Sequence, residues 1–283
     1  MSIAKARFFT FTLDNKLTHT EKNSTTTLKA ITTTTCLLAA SGIVSTLTAD
    51  ISTIFTADFQ PPLYDDALVL AGQQGWVSTT PNSSRVNPQG APGNFVGLFG
   101  FFDPGAQNNW LWHDLDYEPI GGEDNFLILS MEAAIQASTN GFDDFFSIQF
   151  YNDDADFLAS IGFDMANGVV TRNDGVTNFS VGSFTAGTSQ LLDPTLTINL
   201  TDNTWTANIN GSDIFTDSPF HSGGESLDVG EFDFFWRVTT PGSPGNNFIF
   251  FDNILVDATV PEPTTARIIG LLGLLLALRH RRR

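Results

Sequence analysis

Cysteine is almost absent from this 283-residue chain, and the single cysteine, Cys36, lies in an N-terminal segment with the features of a secretory signal. The rest of the chain therefore cannot form an internal disulfide, and it offers no thiol nucleophile, zinc–thiolate site or iron–sulfur ligand set. Apolar packing, the hydrogen bonds of a sheet and any bound metal are left to stabilise the fold.

Basic side chains are nearly as scarce. Between Asp50 and Val260 there is no Lys, the basic residues are Arg85, Arg172 and Arg237, and Asp and Glu number 28, so this segment has a formal net charge of −25. Such a charge repels phosphate backbones and anionic lipid headgroups, and we expect no nucleic-acid partner. We interpret the charge as a means of keeping the protein soluble, and a dedicated role in binding cations is the alternative.

No convincing amphipathic helix is present between these limits, and short apolar–polar alternations take its place. In the strongest, Trp205, Ala207 and Ile209 alternate with polar residues before the turn Asn210–Gly211, which predicts a hairpin. Further strands are predicted at 51–59, 95–101, 126–135, 145–150, 158–163, 195–201, 212–216, 232–238 and 248–256, with a loop at 81–93. So many strands favour one all-β domain over residues 50–258, an antiparallel two-sheet sandwich.

The first 49 residues are predicted to be a leader and signal peptide. Lys29 precedes a moderately apolar stretch, Ala30–Leu47, and small residues then allow cleavage after Ala49. Residues 1–28 are polar and long for the start of a signal, which suggests a true start near Leu28.

Residues 259–283 have three parts in a fixed order. A Pro-rich motif comes first, then an apolar run at Ile268–Leu278, then a basic end. The motif residues are Val260, Pro261, Glu262, Pro263 and Thr264, and the basic anchor residues are Arg279, Arg281, Arg282 and Arg283. As a helix, the apolar run would span only about 16 Å of a hydrocarbon core of roughly 30 Å. We therefore expect a short hydrophobic helix that holds the protein in the membrane only transiently, with its arginines on the cytoplasmic side.

This tail resembles the PEP-CTERM sorting signal of Gram-negative bacteria that make exopolysaccharide. The resemblance implies recognition and cleavage by an exosortase in the inner membrane, and release of the mature domain to the cell surface or extracellular matrix. Arg267 departs from the pattern, because the family is usually apolar at that position. The alternative is a chance Pro-rich linker before a tail anchor.

The central domain resembles the concanavalin A-like lectin and glucanase jelly roll. The resemblance rests on Phe55–Phe59, Leu70–Trp76, the Trp205–Phe215 hairpin and Phe251–Val256. It implies an antiparallel jelly-roll β-sandwich in which the first and last strands lie close together and the concave sheet often binds glycans. An immunoglobulin-like sandwich is the structural alternative.

Three aromatic residues are candidates for glycan binding, because sugar rings stack on aromatic faces while their hydroxyls meet polar groups. Trp110, Trp112 and Tyr117 lie within Asn108–Glu118, among Asn, Asp and His side chains. At a spacing of two residues, Trp110 and Trp112 share one face of a strand. Packing of both tryptophans in the core is the alternative.

Calcium is the candidate cofactor, because clustered carboxylates suit a hard cation that takes several oxygen ligands. Three pairs are candidate ligands: Asp154 with Asp156, Asp114 with Asp116, and Asp58 with Asp252. An EF-hand is excluded at the first pair, since Phe157 stands where such a loop needs Gly and Phe163 where it needs Glu. The alternative for each pair is a solvated acidic turn.

No complete catalytic motif is present, so no enzymatic activity is predicted. Related glucanases carry a Glu-x-Asp-x-(x)-Glu pattern on one strand, and the nearest match, Glu225, Asp228 and Glu231, has a spacing that puts Glu225 and Asp228 on opposite faces. His113 and His221 lie in no nucleophile motif. The sequence thus predicts an exported surface or matrix protein, sorted by an exosortase and binding polysaccharide. A secreted glycoside hydrolase or lyase of the same fold, and a purely structural protein, are the alternatives.

Overall fold

The computed structural model of the protein describes residues 50–65, 68–88, 95–100, 104, 106–119 and 125–260. The predicted signal peptide and all of the sorting tail beyond Val260 lie outside these residues. The regular secondary structure of the described part is all β-strand, apart from one short 3₁₀ turn at Pro81–Ser83. It contains no helix long and apolar enough to cross a membrane.

Sixteen strands are defined within the described residues. In chain order they are β1 (Asp50–Ala57), β2 (Val77–Ser78), β3 (Ser84–Pro88), β4 (Phe95–Phe99), β5 (Asn108–Tyr117), β6 (Phe126–Gln136), β7 (Phe145–Tyr151), β8 (Phe157–Asp164), β9 (Val169–Asn173), β10 (Asn178–Ser183), β11 (Gln190–Leu191), β12 (Thr195–Asn199), β13 (Thr204–Ile209), β14 (Ser212–Pro219), β15 (Val229–Arg237) and β16 (Phe248–Val260).

These strands form two antiparallel sheets. A nine-stranded sheet has the order β14-β13-β12-β6-β16-β4-β3, with β1 also paired to β16 and β11 also paired to β6. A seven-stranded sheet has the order β10-β9-β8-β7-β15-β5-β2. The predicted fold class, an all-β antiparallel jelly-roll sandwich, is confirmed. The predicted C-terminal helix lies outside the described residues.

The alternating pattern in the sequence is what places each strand. Trp205, Ala207 and Ile209 point inward and are buried, while the residues between them are half-buried. Asn210 and Gly211 both have positive φ angles, of 49° and 77°, which fits the two-residue turn predicted there. The predicted hairpin is therefore confirmed as β13 and β14.

The predicted loop at 81–93 is wrong for Ser84–Pro88, which form strand β3 beside β4. Val86 is fully buried there, so this short strand covers part of the core. Its proline stands at the end of a strand on the sheet edge, where the missing N–H costs no ladder hydrogen bond.

The core between the sheets is largely aromatic. Phe234 of the seven-stranded sheet stacks on Phe251 of the nine-stranded sheet, with ring centroids 4.1 Å apart and planes 12° from parallel. Gly97 of β4 makes room for this pair, because a Cβ at that position would overlap the Phe251 ring. Offset stacking of this kind adds to the stability that burial of the rings provides.

Strand β1 runs antiparallel to the last strand, from Ile51 opposite Thr259 to Ala57 opposite Ile254. The first and last strands therefore lie together, as the resemblance to the lectin and glucanase fold implied. Both strands belong to the nine-stranded sheet, and the outer face of the seven-stranded sheet therefore lies on the opposite side of the sandwich.

Candidate functional site

The outer face of the seven-stranded sheet carries an unusual mixture of aromatic and acidic side chains. Successive residues of a strand point to opposite faces, and Leu111, Phe232 and Phe234 point into the core. Their neighbours on β5, β7 and β15 therefore point outward. We call this set the aromatic–carboxyl face: Trp110, Trp112, Asp114, Ser147, Gln149, Tyr151, Glu231, Asp233 and Phe235.

The pairing of the strands fixes which of these side chains are neighbours. Asp233 lies between Trp112 on β5 and Gln149 on β7, and Glu231 lies between Asp114 and Tyr151. Directly opposed residues in an antiparallel pair have Cβ atoms about 4.5–5.5 Å apart. Asp114, Glu231 and Asp233 thus form one compact group of three carboxyls.

Asp233 is the most perturbed acid of this group. Only 3% of it is exposed, and its buried Oδ1 has no hydrogen-bond partner among the described residues. Burial, followed by the charges of Glu231 and Asp114, raises the pKa of Asp233 from 3.8 to about 9. At neutral pH this side chain is therefore a neutral carboxylic acid with unused hydrogen-bonding capacity.

The two other carboxyls are more accessible. Glu231 is half-buried, and burial together with the nearby Asp114 raises its pKa. Asp114 is exposed. Since the charges of Glu231 and Asp114 oppose the ionisation of Asp233, a positively charged ligand bound beside these carboxyls would lower the repulsion between them.

A chain of polar contacts covers the centre of the face. The Tyr151 hydroxyl donates a hydrogen bond to Gln149 Oε1 (2.8 Å), and Gln149 Nε2 donates to Ser147 Oγ (2.9 Å). Burial, then the charge of Asp233, raises the pKa of Tyr151 to about 12. Trp110 packs on Phe235 with ring centroids 5.1 Å apart. These side chains are held in place before any ligand arrives, which lowers the entropy cost of binding.

The structure separates the three aromatic residues that the sequence suggests for glycan binding. Trp110 and Trp112 are half-buried on the aromatic–carboxyl face, outside the core. Tyr117 is buried, and its hydroxyl donates a hydrogen bond to the Thr259 carbonyl oxygen (3.0 Å), so it faces the interior of the sandwich. A platform on this face therefore consists of the two tryptophans without Tyr117.

One candidate calcium pair is brought together by the fold. Asp58 follows the end of β1, and Asp252 lies on β16 opposite Glu132. Burial raises the pKa of Asp252 to about 6, and the charges of Glu132 and Asp58 add to this shift, whereas the Asn253 N–H opposes it. The carboxyls of Asp58 and Asp252 are thus near enough to interact.

The structure places the residues of the other two candidate pairs in different surroundings. Asp114 belongs to the aromatic–carboxyl face, whereas Asp116 and Asp154 both lie near Asp153, whose pKa is raised by its burial and by the acids around it. Asp156 is exposed in the turn between β7 and β8. Among the described residues, no three acidic, His or Cys side chains are arranged to hold a metal ion. Calcium binding stays a prediction.

The residues weighed for catalysis do not form one group: Glu225 Oε2 lies 3.8 Å from His221 Nε2, whereas Asp228 and Glu231 have other surroundings. Asp228 accepts hydrogen bonds from Ser226 Oγ and from the Asp153 N–H (3.0 Å), so it holds the turn before β8. Buried His221 contacts the Leu158 carbonyl oxygen through Nδ1 (2.9 Å). Of the three acids that resemble the glucanase pattern, Glu231 lies on the outer face. Its neighbour there is Asp233, a residue that the sequence analysis did not single out. The sequence could have indicated this pair, because Glu231 and Asp233 are two residues apart on one strand and so share a face.

A separate cleft of about 530 Å³ opens beside the first and last strands, lined by Phe55, Asp58, Tyr64, Gln74, His113 and Asn253 among others. The His113 ring packs against Phe55 (centroids 4.0 Å apart), and its nitrogens lie 2.7 Å and 3.0 Å from the carbonyl oxygens of Asp114 and Gln74. These contacts occupy both ring nitrogens of His113.

Comparisons with known proteins concern the fold alone. No family model and no curated protein matches the chain. Among solved structures it is similar to a carbohydrate esterase from the Shiga toxin-encoding bacteriophage phi24B (14% identity, TM-score 0.48, 75% of this chain and 100% of that one). It is also similar to the Emp47p carbohydrate recognition domain (10%, 0.44, 76% and 100%) and to the lectin UEA-II complexed with galactose (9%, 0.46, 75% and 100%). A similar sialidase is longer, and the match covers 72% of this chain but 18% of the sialidase. At these identities and TM-scores, the likeness identifies no ligand or activity for this chain.

Proposed function

We propose that this protein binds glycans on the aromatic–carboxyl face of its seven-stranded sheet. The observation that carries the proposal is the placement of two half-buried tryptophans, Trp110 and Trp112, beside the buried, unsatisfied carboxyl of Asp233. Indole rings offer apolar surface to a sugar ring, and the carboxyls and Gln149 offer partners to its hydroxyls.

A panel of soluble oligosaccharides, titrated into the purified protein by calorimetry, tests this proposal. Trp112→Ala is expected to weaken binding about tenfold or more, because it removes one stacking surface. Phe142→Ala, which removes an exposed aromatic ring from the loop between β6 and β7, is the matched control and is expected to leave affinity unchanged. Binding that is insensitive to Trp110→Ala and Trp112→Ala, or the absence of binding to any glycan, would contradict the proposal.

A second candidate, glycoside hydrolysis at the same face, is favoured by one observation. Burial raises the pKa of Asp233 to about 9, so this carboxyl is protonated at neutral pH beside the more accessible carboxyl of Glu231, and a protonated acid next to a second carboxyl suits general acid catalysis. Analysis of the titrated oligosaccharides for shorter products distinguishes the candidates. Turnover that Glu231→Gln abolishes would replace the binding function with hydrolysis.

The cellular setting is part of the proposal. We infer export through the signal peptide and sorting by an exosortase, which leaves the domain at the surface or in the exopolysaccharide matrix of a Gram-negative bacterium. Support comes from the order of Pro261–Pro263, the apolar run and the terminal arginines in the sequence.

Intact-mass analysis of the exported protein tests the sorting step. We expect residues 268–283 to be missing from the mature protein. Glu262→Ala is expected to leave the tail uncut and the protein in the membrane fraction. An exported protein that retains its complete tail would show that the Pro-Glu-Pro motif does not direct cleavage.

A further inference from the structure

The acidic side chains of the aromatic–carboxyl face indicate which class of glycan this face would bind. Asp114, Glu231 and Asp233 lie on two adjacent strands, in two neighbouring rows of the sheet. The basic residue nearest to them along β15 is Arg237, six residues beyond Glu231, and its guanidinium is 4.6 Å from the centre of the Phe145 ring. No described contact gives any of the three carboxyls a cationic partner.

The second observation is the state of Asp233 itself. Only 3% of Asp233 is exposed, and among the described residues its Oδ1 has no hydrogen-bond partner, although an unsatisfied buried oxygen is costly. A protonated amine could supply the missing hydrogen bond and would also be attracted by the neighbouring carboxyls. A neutral sugar hydroxyl could supply the hydrogen bond only.

None of the described groups around Asp233 supplies the hydrogen bond that its Oδ1 lacks. Trp112 and Gln149 flank it across the two neighbouring strands, and Glu231 is the next outward residue along its own strand. Gln149 Oε1 accepts a hydrogen bond from Tyr151 and Gln149 Nε2 donates one to Ser147, and no described hydrogen bond joins this amide to Asp233. An anionic sugar would meet carboxyls alone at this point, in a domain whose net charge is −25.

We propose that the aromatic–carboxyl face selects amino-sugar polymers, with a protonated sugar amine bound among Asp114, Glu231 and Asp233 and the sugar ring stacked on Trp112. This selectivity rests on the proposed glycan-binding function. If Asp233 ionises when the amine binds, its proton passes to the solvent and the carboxylate and ammonium remain as a pair.

Calorimetric titration with three β-1,4-linked hexamers tests the selectivity: glucosamine, N-acetylglucosamine and glucose, at a pH at which the glucosamine amine is protonated. These ligands share their linkage and differ at the second carbon of each sugar. We expect the glucosamine hexamer to bind about tenfold more tightly than the other two, because charge-assisted hydrogen bonds are stronger than neutral ones.

Two double variants distinguish binding at this site from general attraction of the amine to the acidic domain. Asp114→Asn with Glu231→Gln keeps the shape of the face and is expected to remove the preference. Asp213→Asn with Asp217→Asn removes two exposed charges from β14, in the other sheet, and is expected to keep it. Thermal melting of both variants verifies that they are folded.

The following outcomes would contradict one or both proposals. Equal affinity for the three hexamers would overturn the amine selectivity and leave glycan binding intact, whereas no binding of any hexamer or other glycan would overturn both proposals. A preference lost equally in both double variants, or equally tight binding of pentalysine, would reduce the effect to general attraction between opposite charges and overturn the selectivity.

Discussion

Raising the pH from 5 to 9 is expected to destabilise this protein throughout that range. The main cause is Asp233, whose pKa is raised from 3.8 to about 9 in the folded state. The folded protein holds this proton more tightly than the unfolded chain, so unfolding releases it at any pH between the two values. Stability from this group is therefore complete below about pH 4 and is lost as the pH rises toward 9.

The magnitude follows from proton linkage. A single group that releases one proton on unfolding changes the free energy of unfolding by about 1.4 kcal/mol per pH unit. Glu231, Asp144 and Asp252 have pKa values shifted in the same direction, while the lowered pKa of Asp174 acts in the opposite one. Reduced repulsion among the excess acids at lower pH adds to the trend.

Thermal melting at constant ionic strength measures this effect. Asp233→Asn is expected to raise the melting temperature at pH 8 and to flatten its dependence on pH, since the amide cannot ionise. Asp217→Asn removes one exposed charge on β14 and is expected to retain the slope of the wild type. A melting temperature that rises from pH 5 to pH 9, or a slope that Asp233→Asn leaves unchanged, would show that Asp233 is not a buried neutral acid.

Asp144→Ala is expected to cause a large loss of stability. Asp144 is fully buried and accepts hydrogen bonds from Trp236 Nε1 (2.9 Å) and from the backbone N–H groups of Thr239 (3.1 Å) and Gly245 (3.0 Å). It thereby fixes the connection between β15 and β16. Alanine would leave these donors unpaired, at about 1–3 kcal/mol for each one that stays buried.

We expect the loss to total about 3 kcal/mol or more, which is on the order of 10 °C in melting temperature for a domain of this size. Asp143→Ala is the matched control, because the buried Oδ1 of Asp143 has no hydrogen-bond partner in the part of the chain that the structure describes, and little is lost with it. A similar melting temperature for both variants would mean that the Asp144 contacts contribute little to the stability of the connection.

The strands could be predicted because local patterns determine them. The alternation around Trp205 and the Asn210–Gly211 turn required no knowledge of the rest of the chain, and the structure confirms both. Strand β3 was missed, because its proline and the loop residues around it obscure a single buried valine, Val86. Its position in the sheet depends on β4, which a local pattern does not show.

The candidate site was only half predictable for a similar reason. The common face of Trp110 and Trp112 follows from their spacing, and Tyr117, an odd number of residues away, could have been excluded by the same argument. Asp233 acquires its character from residues on other strands, since Trp112 and Gln149 flank it across the sheet. Which strands are neighbours is a property of the topology, so the burial of this acid could not be read from β15 alone.

The indole N–H signals of the five tryptophans provide the most direct test of the central claim that glycans bind to the aromatic–carboxyl face. Each gives one peak in a ¹H–¹⁵N NMR spectrum, assignable by single Trp→Phe variants. We predict that a bound oligosaccharide shifts the signals of Trp110 and Trp112 and leaves those of buried Trp205 and Trp236 in place. Shifts confined to Trp76, which packs against Phe55 and His113 beside the separate cleft, would place the ligand elsewhere and contradict the account.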